Sequence, residues 1–307
     1  MTPVRDPTPF RRHGGNPILS PADWPYPVNT VFNAGAVEHE GETLLLVRIE
    51  DRAGASHLCA ARSRDGLGDW RVDSQPTLSP SPDHPEEIWG VEDPRINRLD
   101  EIDRYAVTYT AYSPSGPGVS LATTSDFRSF ERLGMVFCPE NKDAALLPGR
   151  VDGRWWMLPR PVAGGVADIW LSASTDLVHW GEHRVVMRAR SGPYWDAGKI
   201  GLSAQPIRTD GGWLVLYHGV KQTVSGGIYR QGLALLDLER PWQVLARTPE
   251  WIFAPNEPFE RTGDVGNVVF CCGWTLHGDE VRMYYGGADT CMCVATASLG
   301  ELLDLLR

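Results

Sequence analysis

Short apolar runs rich in Val, Ile, Tyr, Trp and Thr alternate along the chain with turns rich in glycine and proline. Runs of this length and composition predict β-strands, because β-branched and aromatic side chains pack well on a pleated sheet. Only residues 298–307 carry leucines at helical spacing, and they predict a short C-terminal helix. The pattern as a whole predicts an all-β protein.

The apolar runs recur in sets of three, always in the same order. The first run begins polar and becomes apolar, the second is strongly β-like and ends in polar groups, and the third ends at a turn. The first runs of the five sets are NTVFNAGAV, WGVEDPRI, KDAALLPGRV, GKIGLSAQPI and VGNVVFCCGW. A repeat of roughly 50 to 70 residues with several strands per unit predicts a propeller. We therefore expect one five-bladed domain over residues 1–307, with residues 1–15 as an N-terminal arm. A two-sheet sandwich is the alternative, but it does not explain why polar residues recur at one place in every set.

The recurring polar side chains lie where the innermost strands of a propeller would line a central channel. We therefore expect residues that are distant in the sequence to converge there: Asn33, Arg48, Asp93, Lys142, Arg160, Lys199, His218 and Asp289. Burying an unpaired charge is costly, so a convergent set predicts an active site in the channel. The alternative is that these residues form salt bridges between blades or lie on solvated rims.

The residue types suggest a reaction. Lys142, Arg160, Lys199 and His218 predict a cationic group that suits a phosphate oxyanion. The chain has no GxGxxG or P-loop pattern, which favours free phosphate or a phosphosugar over a nucleotide. Apolar strand residues precede Asp93 and Pro94 stiffens the chain after it, so we expect Asp93 to have a raised pKa and to act as a general acid. Glycoside hydrolysis usually needs two carboxylates, whereas phosphate is itself a nucleophile. One acid facing a cationic group therefore favours an inverting phosphorylase.

Composition narrows the function further. The net charge of −10 and the pI of about 5.3 argue against nucleic-acid binding. The first twenty residues lack the apolar stretch of a signal peptide, and no run is long enough to cross a membrane. The six cysteines and the histidines show no metal-ligand spacing, so we expect buried free thiols, no metal and a cytoplasmic protein. Some aromatic side chains could stack on sugar rings, although core packing is their commoner role: Trp89, Tyr112, Trp170, Tyr194 and Trp195.

Several ordered motifs resemble glycoside hydrolase family 130, which comprises β-mannoside phosphorylases and a few related mannosidases. They include VFNAGA, LLLVRIEDR, GVEDPRI, KDAALLP, GKIG, GWLVLYHGV and YYGGADT. The likeness runs from about Asn16 to Thr290. It implies a five-bladed propeller and the reversible phosphorolysis of β-mannosides to α-mannose 1-phosphate, with inorganic phosphate as co-substrate and no cofactor. Members of the family are commonly oligomers, and no feature of this sequence fixes a number of subunits.

The resemblance also assigns roles. It implies that Asp93 is the single catalytic acid and acts through the 3-hydroxyl of the mannose. The residues that stand at the family's phosphate-binding positions are Lys142, Arg160, Lys199 and His218, with Tyr229 close by. Lys142 stands where arginine is frequent, so the charge is kept but the planar fork is lost. The residues that stand at the family's mannose-binding positions are Asn33, Arg48 and Asp289.

The basic residues distinguish between the activities found in the family. Family mannosidases lack much of the basic group, so its presence here favours a phosphorylase. A β-mannosidase and a non-catalytic mannoside-binding propeller are the alternatives. The linkage and the acceptor sugar depend on loops around the channel, and the sequence does not specify them.

Overall fold

The computed structural model describes residues 8–307, so residues 1–7 of the predicted N-terminal arm lie outside the described residues. Strands make up most of the described chain and helices are few and short, which confirms the all-β prediction. No helix in residues 8–307 has both the length and the apolar composition that crossing a bilayer requires.

The strands form five antiparallel sets in chain order, preceded by β1 (Arg11–Arg12). The first set is β2 (Thr30–His39), β3 (Glu42–Glu50), β4 (Ser56–Ser63) and β5 (Arg71–Val72). The second set is β6 (Gly90–Leu99), β7 (Arg104–Ser113), β8 (Gly116–Thr124) and β9 (Glu131–Phe137). The third set is β10 (Asn141–Leu146), β11 (Trp155–Ala163), β12 (Val166–Ala167), β13 (Ile169–Ser174) and β14 (Gly181–Met187).

The fourth set is β15 (Lys199–Leu202), β16 (Ile207–Thr209), β17 (Gly212–Thr223), β18 (Gly226–Leu236) and β19 (Val244–Arg247). The fifth set is β20 (Val269–His277), β21 (Glu280–Gly287) and β22 (Cys291–Ser298), and β1 pairs with the outer edge of β22. Each set begins with a strand that overlaps one of the first runs of the sequence repeat.

Few helical segments interrupt the strands. Three short 3-10 turns cover Pro21–Asp23, Pro85–Glu87 and Asp100–Ile102. The helix α1 spans Pro258–Arg261, and α2 spans Leu299–Asp304 within the segment predicted to be helical. The N-cap of α2 is Ser298, whose hydroxyl accepts the backbone N–H of Glu301.

The first two sets are joined into one sheet by a single parallel bridge between Ser56 and Gly90, and the other three sets are separate sheets. The first strands lie close together, because β2 contacts β6 and β20, β6 contacts β10, and β10 contacts β15. The chain therefore places the first strands at the centre and the later strands of each set further out.

Five large clusters of buried apolar side chains fill the spaces between the sets of the described chain. Four of them lie between sets that follow each other in sequence. The remaining cluster packs Tyr284 and Met292 of the last set against Val31 and Leu45 of the first. Every set thus buries side chains against two neighbouring sets.

The cysteines take no part in disulfide bonds within the described residues. Five of the six are buried free thiols, as the sequence predicted. Cys138 is exposed instead, because it lies just beyond the end of β9, where the chain leaves the sheet.

Candidate functional site

A cavity of about 410 Å³ lies where the first strands meet. Its walls contain all of the predicted catalytic, phosphate-binding and mannose-binding residues: Asn33, Arg48, Asp93, Lys142, Arg160, Lys199, His218, Tyr229 and Asp289. These residues come from β2, β3, β6, β10, β11, β15, β17 and β18 and from the turn after β21. Residues up to 256 positions apart are therefore brought together around one space.

Three first strands deliver a polar side chain to the cavity through a β-bulge. Asn33, Asp93 and Asp143 have φ angles of 50°, 48° and 56°. Each lies where the register of its strand with the next one shifts. A bulge places an extra residue outside the ladder and redirects its side chain, and Asn and Asp adopt this left-handed conformation more readily than most residues. The bulges therefore direct these side chains into the cavity.

Asp93 is 4% exposed and is held by two neighbours. Asn33 Nδ2 donates to Asp93 Oδ1 at 3.0 Å, and Arg48 Nη1 donates to the same oxygen at 3.1 Å. Burial pushes the pKa of Asp93 up, but the charges of Arg48, Lys142 and Arg95 outweigh it, so the net pKa is lowered. The expectation of a raised pKa is wrong, and Asp93 is a carboxylate in the free site.

The raised pKa belongs to neighbouring carboxyl groups. Burial and the charge of Asp93 raise the pKa of Asp289 to about 7, against the opposing charges of Arg48 and Lys142. Asp289 Oδ1 is buried and accepts no hydrogen bond from the described residues. Burial likewise raises the pKa of Glu92, although its Oε1 lies 3.1 Å from Arg48 Nη2. Near neutral pH a proton is therefore shared between Asp289 and solvent, whereas Asp93 is ionised.

Asp143 is fully buried at the bottom of the cationic side of the cavity. Its carboxylate lies 2.7 Å from Arg160 Nε, 3.3 Å from Arg95 Nη2 and 3.5 Å from His218 Nε2. Burial would raise the pKa of Asp143, but these neighbours lower it strongly. The sequence did not point to a role for Asp143, and the one signal it offered was the position of Asp143 next to Lys142 in a first run. Asp143 fixes the positions of two side chains expected to bind phosphate.

His218 differs from its expected charge. Burial lowers the pKa of His218 to about 3, and the charges of Arg160 and Lys199 add to this effect, whereas Asp143 opposes it. The ring is therefore neutral at physiological pH, and the predicted group of four cations contains three. His218 can still hydrogen-bond to an anion as a neutral donor.

The two lysines of the cavity have no carboxylate partner. Neither Lys142 nor Lys199 forms an ion pair within 4 Å anywhere in residues 8–307. Lys199 Nζ lies 5.2 Å from the centroid of the Tyr229 ring, and that ring stacks beside His218 with centroids 5.9 Å apart. Two ammonium groups that line a cavity without a carboxylate in direct contact are available to an incoming anion.

The aromatic residues considered for sugar stacking have different environments. Trp195 is buried and stacks on Tyr217 in the core, with centroids 5.5 Å apart. Trp170 is partly buried on β13. Tyr194 is exposed, as are Trp89 and Tyr112, which contact each other. In the part of the chain that is described, no group of three or more His, Cys, Asp or Glu side chains is placed to hold a metal ion.

Comparison with known proteins identifies a single family. A family model described as beta-1,4-mannooligosaccharide phosphorylase matches residues 11–307. The β-1,2-mannobiose phosphorylase of Listeria innocua is 32% identical over 96% of this chain and 98% of its own length. The β-1,4-mannooligosaccharide phosphorylase of Ruminococcus albus is 33% identical over 96% of this chain and 90% of its own length.

The fold agrees with a solved structure. The structure of the Listeria innocua β-1,2-mannobiose phosphorylase in complex with β-1,2-mannobiose superposes with a TM-score of 0.89. The superposition covers 97% of this chain and 99% of that one, at 32% identity.

Proposed function

The chain belongs to glycoside hydrolase family 130, and on that premise we propose that it is an inverting β-mannoside phosphorylase. It cleaves a β-mannoside with inorganic phosphate and releases α-mannose 1-phosphate, and the reaction is reversible. The observation that carries the proposal is the pair of unpaired ammonium groups, Lys142 and Lys199, in the same cavity as the buried acid Asp93. Relatives named as phosphorylases of mannobiose and mannooligosaccharides support it.

Phosphate binds on the cationic side of the cavity. Lys142 and Lys199 supply two positive charges, Arg160 supplies a guanidinium held by Asp143, and neutral His218 supplies a hydrogen bond. A phosphate oxygen then attacks the anomeric carbon of the mannosyl unit as the bond to the leaving sugar breaks. A single displacement inverts the β-linkage to an α-phosphate. Because phosphate is already anionic, no general base is needed, unlike in the hydrolysis of glycosides by two carboxylates.

Asp93 supplies the proton that the leaving oxygen needs, passing it through the 3-hydroxyl of the mannose as in related family members. It must first acquire that proton, since the free site holds it as a carboxylate. In the free site the positive charge of Lys142 helps to lower the pKa of Asp93. Bound phosphate is negatively charged and offsets Lys142, so it weakens that effect. We infer that phosphate binding and protonation of Asp93 are coupled.

The mannosyl unit lies between Asp93 and the residues that surround it. Arg48 and Asn33 hydrogen-bond to Asp93 and also line the cavity, so they orient both the acid and the sugar. Asp289, with its buried and unpartnered Oδ1, offers a hydrogen-bonding group to a sugar hydroxyl. A hydroxyl can donate and accept at once, so it satisfies this oxygen when the sugar binds.

We infer that the five sets are the blades of a five-bladed propeller in a single domain, with the active site in its central channel. Support comes from the central position of the first strands and from the apolar cluster between the last and first sets. Pairing of β1 with β22 adds a fourth strand to the last blade from the beginning of the chain.

Phosphate dependence is the decisive test. A β-mannoside incubated with phosphate is expected to give α-mannose 1-phosphate, and α-mannose 1-phosphate with an acceptor sugar is expected to give a disaccharide and free phosphate. A panel of glucose, mannose and mannobiose as acceptors also reads out the linkage. Equal release of free mannose in phosphate-free buffer would indicate a mannosidase instead. Binding of mannosides without turnover in either direction would indicate a non-catalytic propeller.

A further inference from the structure

Four tryptophan and tyrosine side chains of the described chain are more than a third exposed: Trp89 (47%), Tyr112 (39%), Tyr194 (52%) and Trp251 (44%). Two of them are covered by a guanidinium group. Arg190 Cζ lies 5.4 Å from the ring centroid of Tyr194, and Arg230 Cζ lies 4.4 Å from that of Trp251. The rings of Trp89 and Tyr112 contact each other, with centroids 5.4 Å apart and planes at 65°. Within residues 8–307, neither ring contacts another aromatic ring or a cationic group. This aromatic pair therefore presents ring surface to solvent.

The aromatic pair lies beside the mouth of the cavity. Tyr112 on β7 is paired directly with Pro117 on β8, and directly paired residues have their side chains on the same face of a sheet. Pro117 lines the cavity, so Tyr112 extends that wall outward. The backbone N–H of Trp89 donates to the carbonyl of Tyr112 at 2.9 Å. Trp89 comes four residues before Asp93, so one segment of chain runs from the exposed mouth to the buried acid.

We propose that Trp89 and Tyr112 form the stacking platform for the sugar on the acceptor side of the scissile bond. This inference rests on the proposed function, in which the mannosyl unit lies at Asp93. The leaving sugar must then extend from Asp93 toward the mouth, where the wall continues from Pro117 to the aromatic pair. A pyranose ring has one face of C–H groups, which gains by burial against an aromatic ring. Val162 and Val265, which are 38% and 47% exposed, add apolar surface to the cavity lining.

The test is a comparison of Michaelis constants in the synthetic direction. Trp89→Ala is expected to raise the KM for the acceptor sugar roughly threefold to tenfold, which corresponds to about 0.6 to 1.4 kcal/mol of lost binding. The KM for α-mannose 1-phosphate and the kcat at saturating acceptor are expected to stay within about twofold. Trp89→Phe keeps an aromatic face and is expected to recover most of the loss. Tyr112→Ala should act in the same direction as Trp89→Ala.

The matched control is Trp251→Ala, which removes the same side chain at similar exposure outside the cavity. It is expected to leave both Michaelis constants unchanged. An unaltered acceptor KM in Trp89→Ala would overturn the proposal, as would an equal rise in the KM for α-mannose 1-phosphate. If the wild-type chain formed no product, the proposed function would fail. The proposed stacking platform would then be tested by measuring the affinity of wild type and Trp89→Ala for β-1,2- and β-1,4-mannobiose by calorimetry. Equal affinities would refute the platform, and weaker binding to the variant would support it.

Discussion

Replacing Asp289 by asparagine should stabilise the free protein, and the gain should depend on pH. The pKa of Asp289 rises from its ordinary value of 3.8 to about 7, because the carboxyl is buried next to Asp93. Between these pH values the folded chain keeps the proton and the unfolded chain releases it. The folded state therefore loses stability as pH rises through this window, and the loss is complete above about pH 7.

The magnitude follows from the two pKa values. Each pKa unit corresponds to 1.36 kcal/mol, so a rise of roughly three units costs about 4 kcal/mol of folding free energy at pH 8. Asparagine has nearly the same shape and no charge to desolvate. Asp289→Asn should therefore match the wild type near pH 4 and exceed its unfolding free energy by up to about 4 kcal/mol at pH 8.

Urea unfolding at pH 4.5, 6 and 8 without phosphate or sugar measures the effect. The control is Asp210→Asn, which removes the same charge from an exposed position and should change the stability little at any pH. A variant Asp289→Asn that is no more stable than wild type at pH 8 would refute the reasoning. So would a gain of equal size at all three pH values, because it would not arise from a proton.

Four further predictions concern catalysis. Asp93→Asn should lower kcat by about 10²- to 10⁴-fold without changing the circular dichroism spectrum, and near-normal turnover would remove Asp93 from its role. Lys199→Met should raise the KM for phosphate far more than the KM for the mannoside, which initial-rate kinetics with each substrate varied would show. Asp143→Asn should also raise the KM for phosphate, because Arg160 loses its anchor, and an effect on mannoside KM alone would contradict this. Phosphate binding should be linked to proton uptake by Asp93, measured by calorimetry at several pH values in buffers of different ionisation enthalpy, and Asp93→Asn should reduce that uptake.

The arrangement of the chain could be predicted from the sequence because the repeat is regular. Each first run carries polar residues in its first half, and this regularity alone indicated that Asn33, Asp93 and Lys142 would meet. The structure places all of them at one cavity. Strand composition and the spacing of the turns were sufficient for the all-β class, since period-2 strands leave a strong local signal.

The charge states could not be predicted in the same way. Asp93 was expected to be a protonated acid, and His218 was expected to be a cation. Both expectations failed because a pKa depends on burial and on charges that are distant in the sequence: burial, with Arg160, lowers the pKa of His218, and Arg48 lowers that of Asp93 against the effect of burial. The sequence shows which charges a chain carries, but the distances between them arise only when the strands pack.

The three bulges restrict which chemical groups the centre can use. The left-handed conformation there is least costly for glycine, asparagine or aspartate, so a bulge favours an amide or a carboxylate over a long basic side chain. The guanidinium groups and the imidazole come instead from the regular second strands, at Arg48, Arg160 and His218. The short amide and carboxylate groups thus come from the bulges, whereas Lys142 and Lys199 lie at ladder-paired positions at the start of β10 and β15. A related chain could exchange amide for acid at a bulge, and so alter the reaction, without repacking any sheet.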